Sequence, residues 1–293
     1  MSFHKILCPI DFSPGSRQAM RVATMIANAA GAELVLAHSW YVPPLAFAGE
    51  YMLDPTVIQD MSDDAKRGLE DAVREVTELG AKRVSSKLLT GLPWTMLVAE
   101  LDDPTYDLVV IGTHGRTGLS RILLGSVAEK VVRHAPCSVL VVRPEGEITA
   151  FTNILCPIDF NEPSRQASDM AASVIAPGGR GITLLHVVDV PVAYSGEPAV
   201  AGFVHDLDKH ASALLDTWAA QLRTKTTAPI STRARIGHPG AQTLHLLENE
   251  PGFDLVVVGS HGRTGISRVL LGSVAEKIVR HAKCPVLVAR RRG

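Results

Sequence analysis

Gly112, Gly115, Gly125 and Ser126 are spaced G-x2-G-x9-G-S behind the apolar run LVVI, and Gly259, Gly262, Gly272 and Ser273 repeat the spacing behind LVVV. Without a Cβ, Gly112 and Gly115 can adopt positive φ and let backbone N–H groups approach a ligand closely. Gly125-Ser126 stand where a helix should start: Val127, Val131 and Val132 fall at helical spacing, and Lys130, Arg133 and His134 suit its C-terminal end. The unsatisfied N–H groups and positive dipole end of such a helix form an anion site, and the serine hydroxyl adds a donor. One glycine pair alone is better read as a structural turn with a serine N-cap. The whole pattern, following an apolar strand and written twice, points to a polyphosphate. Arg116, Arg121, Arg263 and Arg268 are either phosphate-facing charges or solvated loop arginines.

Other chemistry is poorly supported. The P-loop pattern G-x-x-x-x-G-K-[ST] is absent, and the first strand leads into DFSPGS or DFNEPS rather than G-x-G-x-x-G. That strand ends in Pro9-Ile10-Asp11 in one copy and Pro157-Ile158-Asp159 in the other. A carboxylate there can accept from a ribose hydroxyl or help hold a divalent cation. It can equally cap the next helix. His114, His134, His261 and His281 have no S-x-x-K, G-x-S-x-G or H-E-x-x-H context, and they read as loop and helix-terminal residues. His205 and His210 are five apart, which does not place them on one helical face as ligands. Cys8, Cys137, Cys156 and Cys284 make no C-x-x-C pair and lie in apolar runs, as buried free thiols do.

The elements that must position these residues are also written twice. Over 32 positions from Gly112 and from Gly259, 25 residues are identical, and KILCPIDFSPGSRQA (5–19) answers NILCPIDFNEPSRQA (153–167). So long a period means a duplicated domain rather than a solenoid. The 293 residues suffice for two domains at roughly 100–200 residues each, with boundaries expected at 1–145 and 151–293. Strands are expected at 5–10, 33–38, 83–89, 107–111 and 138–142, and helices at 16–30, 60–80, 94–102 and 126–134. The second copy should place strands near 153–158, 182–187, 230–235, 254–258 and 285–289. Runs such as LVVI are apolar throughout, as in parallel strands covered on both faces. Strand–helix alternation then implies a doubly wound α/β sheet, with ligands at the carboxyl ends of its strands. The apolar segments 40–55 and 190–203 read as irregular packing loops, with a lid or partner surface as the alternative.

Composition sets outer limits. Lys and Arg number 29 against 30 Asp and Glu, so the net charge of −1 offers no general attraction for nucleic acid or an anionic membrane. MSFHKILCPIDFS is too short in apolar residues for a signal-peptide core, and no run approaches a membrane span. A soluble cytoplasmic protein is expected.

ILCPIDFS at strand one, LVVIG entering G-x2-G-x9-G-S, and the closing VLVVR together resemble universal stress proteins of the ATP-binding type. The resemblance covers nearly the whole chain as two tandem copies. It implies five-stranded parallel sheets of order 3-2-1-4-5 with an adenine nucleotide, ATP, at the strand ends. By the same resemblance Pro9, Ile10 and Asp11 cradle the adenosine, Ser39 meets the adenine, and Ile111, Gly112, Gly115, Gly125, Ser126 and Val127 contact ribose and phosphates. The second copy offers Pro157, Ile158, Asp159, Val187, Val258, Gly259, Gly262, Gly272, Ser273 and Val274. Ser39 departs from the branched apolar residue common at its position, whereas Val187 fits. Asp11 and Asp159 are the candidates to meet a nucleotide-bound Mg ion. The family also implies that 138–143 and 285–290 pair within the chain, with room for a further homodimer; pairing would cover apolar edge strands that otherwise invite aggregation.

The function expected is an ATP-binding stress-response regulator taking up to two nucleotides. The alternatives are a slow ATP hydrolase or phosphoryl-transfer enzyme, and a nucleotide-free interaction scaffold. Replacing Gly115 and Gly262 by Val should put Cβ atoms in the path of the phosphates and leave the core folded. ATP affinity, measured calorimetrically, should fall; an unchanged affinity would count against this placement.

Overall fold

The computed structural model describes residues 3–42, 53–113, 124–189, 198–260 and 271–290, with the backbone alone for 198–208. The chain divides into two compact units on either side of Gly146 and Glu147. The first contains β1 (Lys5–Pro9), α1 (Pro14–Ala30), β2 (Glu33–Trp40), α2 (Pro55–Glu78), β3 (Val84–Thr90), α3 (Pro93–Leu101), β4 (Leu108–Gly112), α4 (Ser126–His134) and β5 (Ser138–Val142). Its five strands are parallel in the order β3-β2-β1-β4-β5. The second contains β6 (Asn153–Pro157), α5 (Glu162–Val174), β7 (Gly181–Val188), α6 (Pro198–Arg223), β8 (Ile230–Ile236), α7 (Pro239–Asn249), β9 (Leu255–Gly259), α8 (Ser273–His281) and β10 (Val286–Ala289). It repeats the topology as β8-β7-β6-β9-β10. The doubly wound α/β class with order 3-2-1-4-5 is therefore present in both units.

Burial explains why these sequences make these strands. Ile6, Leu7 and Cys8 of β1 and Leu108, Val109 and Val110 of β4 are all 0% exposed, because helices cover both faces of the sheet. β3, VSSKLLT, is largely exposed and carries the polar residues of a sheet edge. The Cys8 and Cys156 thiols are fully buried, and burial pushes both well above the usual thiol range. A thiol kept protonated in a core is not a nucleophile. Cys137 is also buried and Cys284 partly so, and none of the four forms a disulfide.

Three helix starts differ from the sequence expectation, two of them for a capping reason. α1 begins at Pro14 rather than 16: Ser13 is its N-cap, accepting from the Ser16 N–H at 3.2 Å. Proline suits the first helical position, where an N–H would have no intrahelical partner. α2 begins at Pro55 rather than 60, with Asp54 accepting from the Thr56 N–H at 2.8 Å. α6 begins at Pro198, inside the stretch 190–203 expected to be a loop. Residues 43–52 and 190–197 of those apolar segments lie outside the described residues.

Ser13 and its counterpart Asn161, which accepts from the Ser164 N–H at 2.9 Å, hold the first turns that face the strand ends. Ser13→Ala and Asn161→Ala should each lower the unfolding free energy of their own unit by about 1 kcal/mol. Urea titration of the two variants checks this.

Candidate functional site

The site of the first unit forms where two neighbouring strands separate. β1 pairs with β2 as far as Pro9↔Ala37, but with β4 only at Ile6↔Leu108 and Leu7↔Val109. Pro9 has no N–H with which to extend a ladder. β1 and β4 are also the strands whose onward connections run to opposite sides of the sheet, the place where α/β sheets open a crevice. A cavity of about 240 Å³ occupies this fork. β1 contributes Pro9, Ile10 and Asp11, β2 contributes Ser39, and β4 contributes Ile111 and Gly112; Gly125, Ser126 and Val127 close the far side. Nine of the ten first-copy residues picked from the sequence thus line one cavity. The tenth, Gly115, lies outside the described residues, as do His114, Arg116 and Arg121.

Local bonding sets the shape of the walls. The Ile10 N–H donates to Ala37 C=O at 2.8 Å, and His38 Nδ1 lies 2.7 Å from Ile10 C=O. The Asp11 carboxylate accepts from the Ser13 N–H at 3.1 Å. It therefore shapes the turn into α1, while the cap itself is Ser13. The Ser39 hydroxyl donates to Gly91 C=O at 2.8 Å, tying the ends of β2 and β3 together. α4 enters through Gly125, whose N–H donates to Thr113 C=O at 2.7 Å. Gly125 has no side chain to cap the helix, and the Glu129 N–H is the donor that reaches back to its carbonyl, at 2.8 Å. The N–H groups before Glu129 belong to the turn lining the cavity, where a helix presents donors to an anion.

The second unit repeats the fork. β6 pairs with β9 at Ile154↔Leu255 and Leu155↔Val256, and with β7 as far as Pro157↔Leu185. Pro157, Ile158 and Asp159 stand at the end of β6, Val187 is in β7, and Val258 and Gly259 end β9. Gly272 is the N-cap of α8, with Ser273 and Val274 in its first turn. The Asp159 carboxylate accepts from the Ser164 hydroxyl at 2.6 Å and the Asn161 side-chain amide at 3.0 Å. Gly262, His261, Arg263 and Arg268 lie outside the described residues.

Residues 2–143 and 150–290 each match the universal stress protein family. The chain belongs to that family. A universal stress protein of Mycolicibacterium smegmatis is 28% identical over 296 residues, spanning 98% of this chain and 97% of its own. One from Methanocaldococcus jannaschii is 34% identical over 144 residues, 48% of this chain and 82% of its own. The crystal structure of a universal stress protein from Archaeoglobus fulgidus superimposes with a TM-score of 0.71 over 100% of both chains at 21% identity, a likeness of fold.

Two glycines of this universal stress protein serve a packing role besides any contact with a ligand. Gly112 and Gly259 are not among the positive-φ residues. A Cβ on Gly112 would sit 2.7 Å from Gly15 O, and one on Gly259 would sit 2.8 Å from the Pro163 carbonyl. Each glycine admits the backbone of its own unit's first helix, α1 for Gly112 and α5 for Gly259, against the strand end. Gly125 and Gly272 likewise have ordinary extended dihedrals, φ −61° and −63°. Glycine is thus not demanded by dihedral angle at any of the four.

Sequence reasoning missed one conserved arrangement within the repeat. Phe12 and Phe160 have φ of 65° and 64°, a costly conformation for a bulky side chain. Their rings pack 4.4 Å from His38 and His186, whose Nδ1 atoms meet the carbonyls of Ile10 and Ile158. Each His–Phe pair braces the turn that aims Asp11 or Asp159. The recurrence of Asp-Phe and His 148 residues apart was the available signal. His134, by contrast, packs against Trp94, with ring centroids 6.2 Å apart, as a helix-terminal residue.

Gly112→Ala and Gly259→Ala should each cost about 1–3 kcal/mol of stability through overpacking. Chemical denaturation without nucleotide is the check, because the contact is made by the protein with itself.

Proposed function

We propose that each unit binds one adenine nucleotide, ATP in the first instance, and that occupancy regulates a stress-response protein rather than feeding rapid catalysis. The observation that carries this reading is the 240 Å³ cavity at the β1–β4 fork, with the first turn of α4 on one wall and the Asp11 carboxylate on another. The base would lie toward the apolar wall at Ile10 and Ala37, the ribose near Asp11 and Gly112, and the phosphates at Gly125, Ser126 and Val127. In the second unit Ile158, Val187, Asp159, Gly259, Gly272, Ser273 and Val274 would do the same work, with Pro157 and Val258 completing the cradle.

A Mg ion would have to be held jointly with the phosphates. Among the described residues no three His, Cys, Asp or Glu side chains group as a metal site, but a single carboxylate suits Mg, which keeps several waters and binds with phosphate oxygens. Asp11 and Asp159 stand at equivalent strand ends and are the carboxylates that would take that part, Asp159 while also receiving Ser164 and Asn161.

Turnover should be slow. Phosphoryl transfer needs a positioned base or water beside the metal, and the described imidazole nearest each site, His38 or His186, is engaged with a backbone carbonyl. Pairing of 138–143 with 285–290 remains part of this reading on the edge-strand argument, and a homodimer is compatible with it. No helix among the described residues is long and apolar enough to cross a membrane.

The decisive variant is Gly125→Asp. Its dihedrals accept any L-residue, and aspartate is a favoured N-cap, so the fold should be at least as stable. Its carboxylate would occupy the donors meant for phosphate and repel it. ATP affinity of the first unit should fall tenfold or more, about 1.4 kcal/mol, and calorimetric stoichiometry should drop from two to one. Gly272→Asp should do likewise for the second unit. Retained affinity in a folded Gly125→Asp protein would sink the proposed phosphate position.

A further inference from the structure

Comparison of the two units exposes a slot that one fills with its own side chain and the other leaves open. Equivalent strand registers, Leu34↔Val84 and Ile182↔Ile230, place the helices α2 and α6 in correspondence. Their buried residues then match in turn: Ala65 with Ala211, Leu69 with Leu215, Ala72 with Trp218 and Val76 with Leu222. Trp218 is 7% exposed and sits between α5 and α6. Its ring meets Phe160 edge-on at 5.8 Å, the Arg165 guanidinium lies 4.2 Å from the ring, and its indole N–H donates to the Ser168 hydroxyl at 3.0 Å.

The first unit keeps two of these neighbours without the indole. Phe12 and Arg17 correspond to Phe160 and Arg165, while Ala72 replaces the tryptophan and Met20 the serine. A cavity of about 190 Å³ lies there, lined by Phe12, Arg17, Met20, Ala72, Asp71 and Glu75 among others. Apolar cavities of about 150 Å³ are large enough to hold benzene. Ile10 and Ser16 line both this cavity and the larger one at the strand fork, so the two share a wall.

We infer that the first unit binds a small planar aromatic molecule carrying an N–H donor, of indole size, in the slot that Trp218 fills in the second unit. The ring lies edge-on to Phe12 under the Arg17 guanidinium, an arrangement of cation and aromatic face that favours association. Because Met20 offers no hydroxyl, the N–H turns to the carboxylates of Asp71 or Glu75 instead. Each of these also has an arginine partner: Asp71 pairs with Arg74, and Glu75 lies 4.0 Å from Arg21. The proposal rests on the internal repeat and is independent of what occupies the larger cavity.

The test titrates indole into the full-length chain, with and without ATP, and follows backbone amides by NMR, since Phe12, Gly68 and Ala72 line the slot and not the larger cavity. Saturable shifts are expected at Phe12, Gly68 and Ala72, with none around Trp218. Ala72→Trp supplies the missing ring and should weaken indole binding at least tenfold, while ATP affinity stays within about twofold. Trp218→Ala opens the second slot and should add a second indole site, seen as new shifts at Phe160 and Ser168. Absence of saturable shifts at millimolar indole overturns the inference, as does undiminished binding to folded Ala72→Trp. If Ala72→Trp does not fold, failure of Trp218→Ala to gain a site has the same force.

Discussion

The hydrogen-bonded ladder between β1 and β4 lasts for two residue pairs, and the remainder of the site depends on its stopping there. A longer ladder would hold the strand ends together and leave no crevice. Pro9 ends it chemically, by lacking an N–H, and the opposed connections of β1 and β4 carry the chain away to either side. Once the fork is open, α4 can point its first turn at the gap, and Asp11 can stand across from it. The back wall is equally constrained, because Gly112 lets Gly15 approach at a distance no side chain would permit.

Much of this was legible in the residues. Apolar runs flanked by helical patterns identify buried parallel strands, and the repeated G-x2-G-x9-G-S identifies the end of the sheet at which to look. Nine of ten predicted first-copy residues share a cavity because the motif follows β4, and topology then brings β1 and β2 beside it. The reason for Gly112 was less legible. A glycine tolerated for a ligand and a glycine required by a neighbouring helix look alike in one dimension. The left-handed Phe12 and Phe160 were hidden for a related reason: local propensity argues against them, and only contacts from His38 and His186, distant in the chain, hold them there. Helix starts at Pro14 and Pro55 were blurred because an apolar or turn-rich stretch conceals a cap until the acceptor is located.

Duplication has kept the backbone of the two units nearly the same while their side chains drift apart. Ser13 and Asn161 do one capping job with different groups, and the substitution draws an amide onto Asp159. Ala72 and Trp218 stand at matching places in the helix that covers the sheet, yet one leaves space and the other occupies it. Such differences are small in sequence because each is one residue, and large in chemistry because each sits beside a wall of the fork.

Trp218 has a further consequence, which is optical. The chain has three tryptophans. Trp40 and Trp94 belong to the first unit and are partly open to water, whereas Trp218 is enclosed by Phe160 and Arg165 in the second. An indole shielded from water emits at shorter wavelength than one that is solvated. The two halves of a nearly symmetrical molecule therefore carry distinguishable native fluorophores, and events in each can be followed by colour without a label.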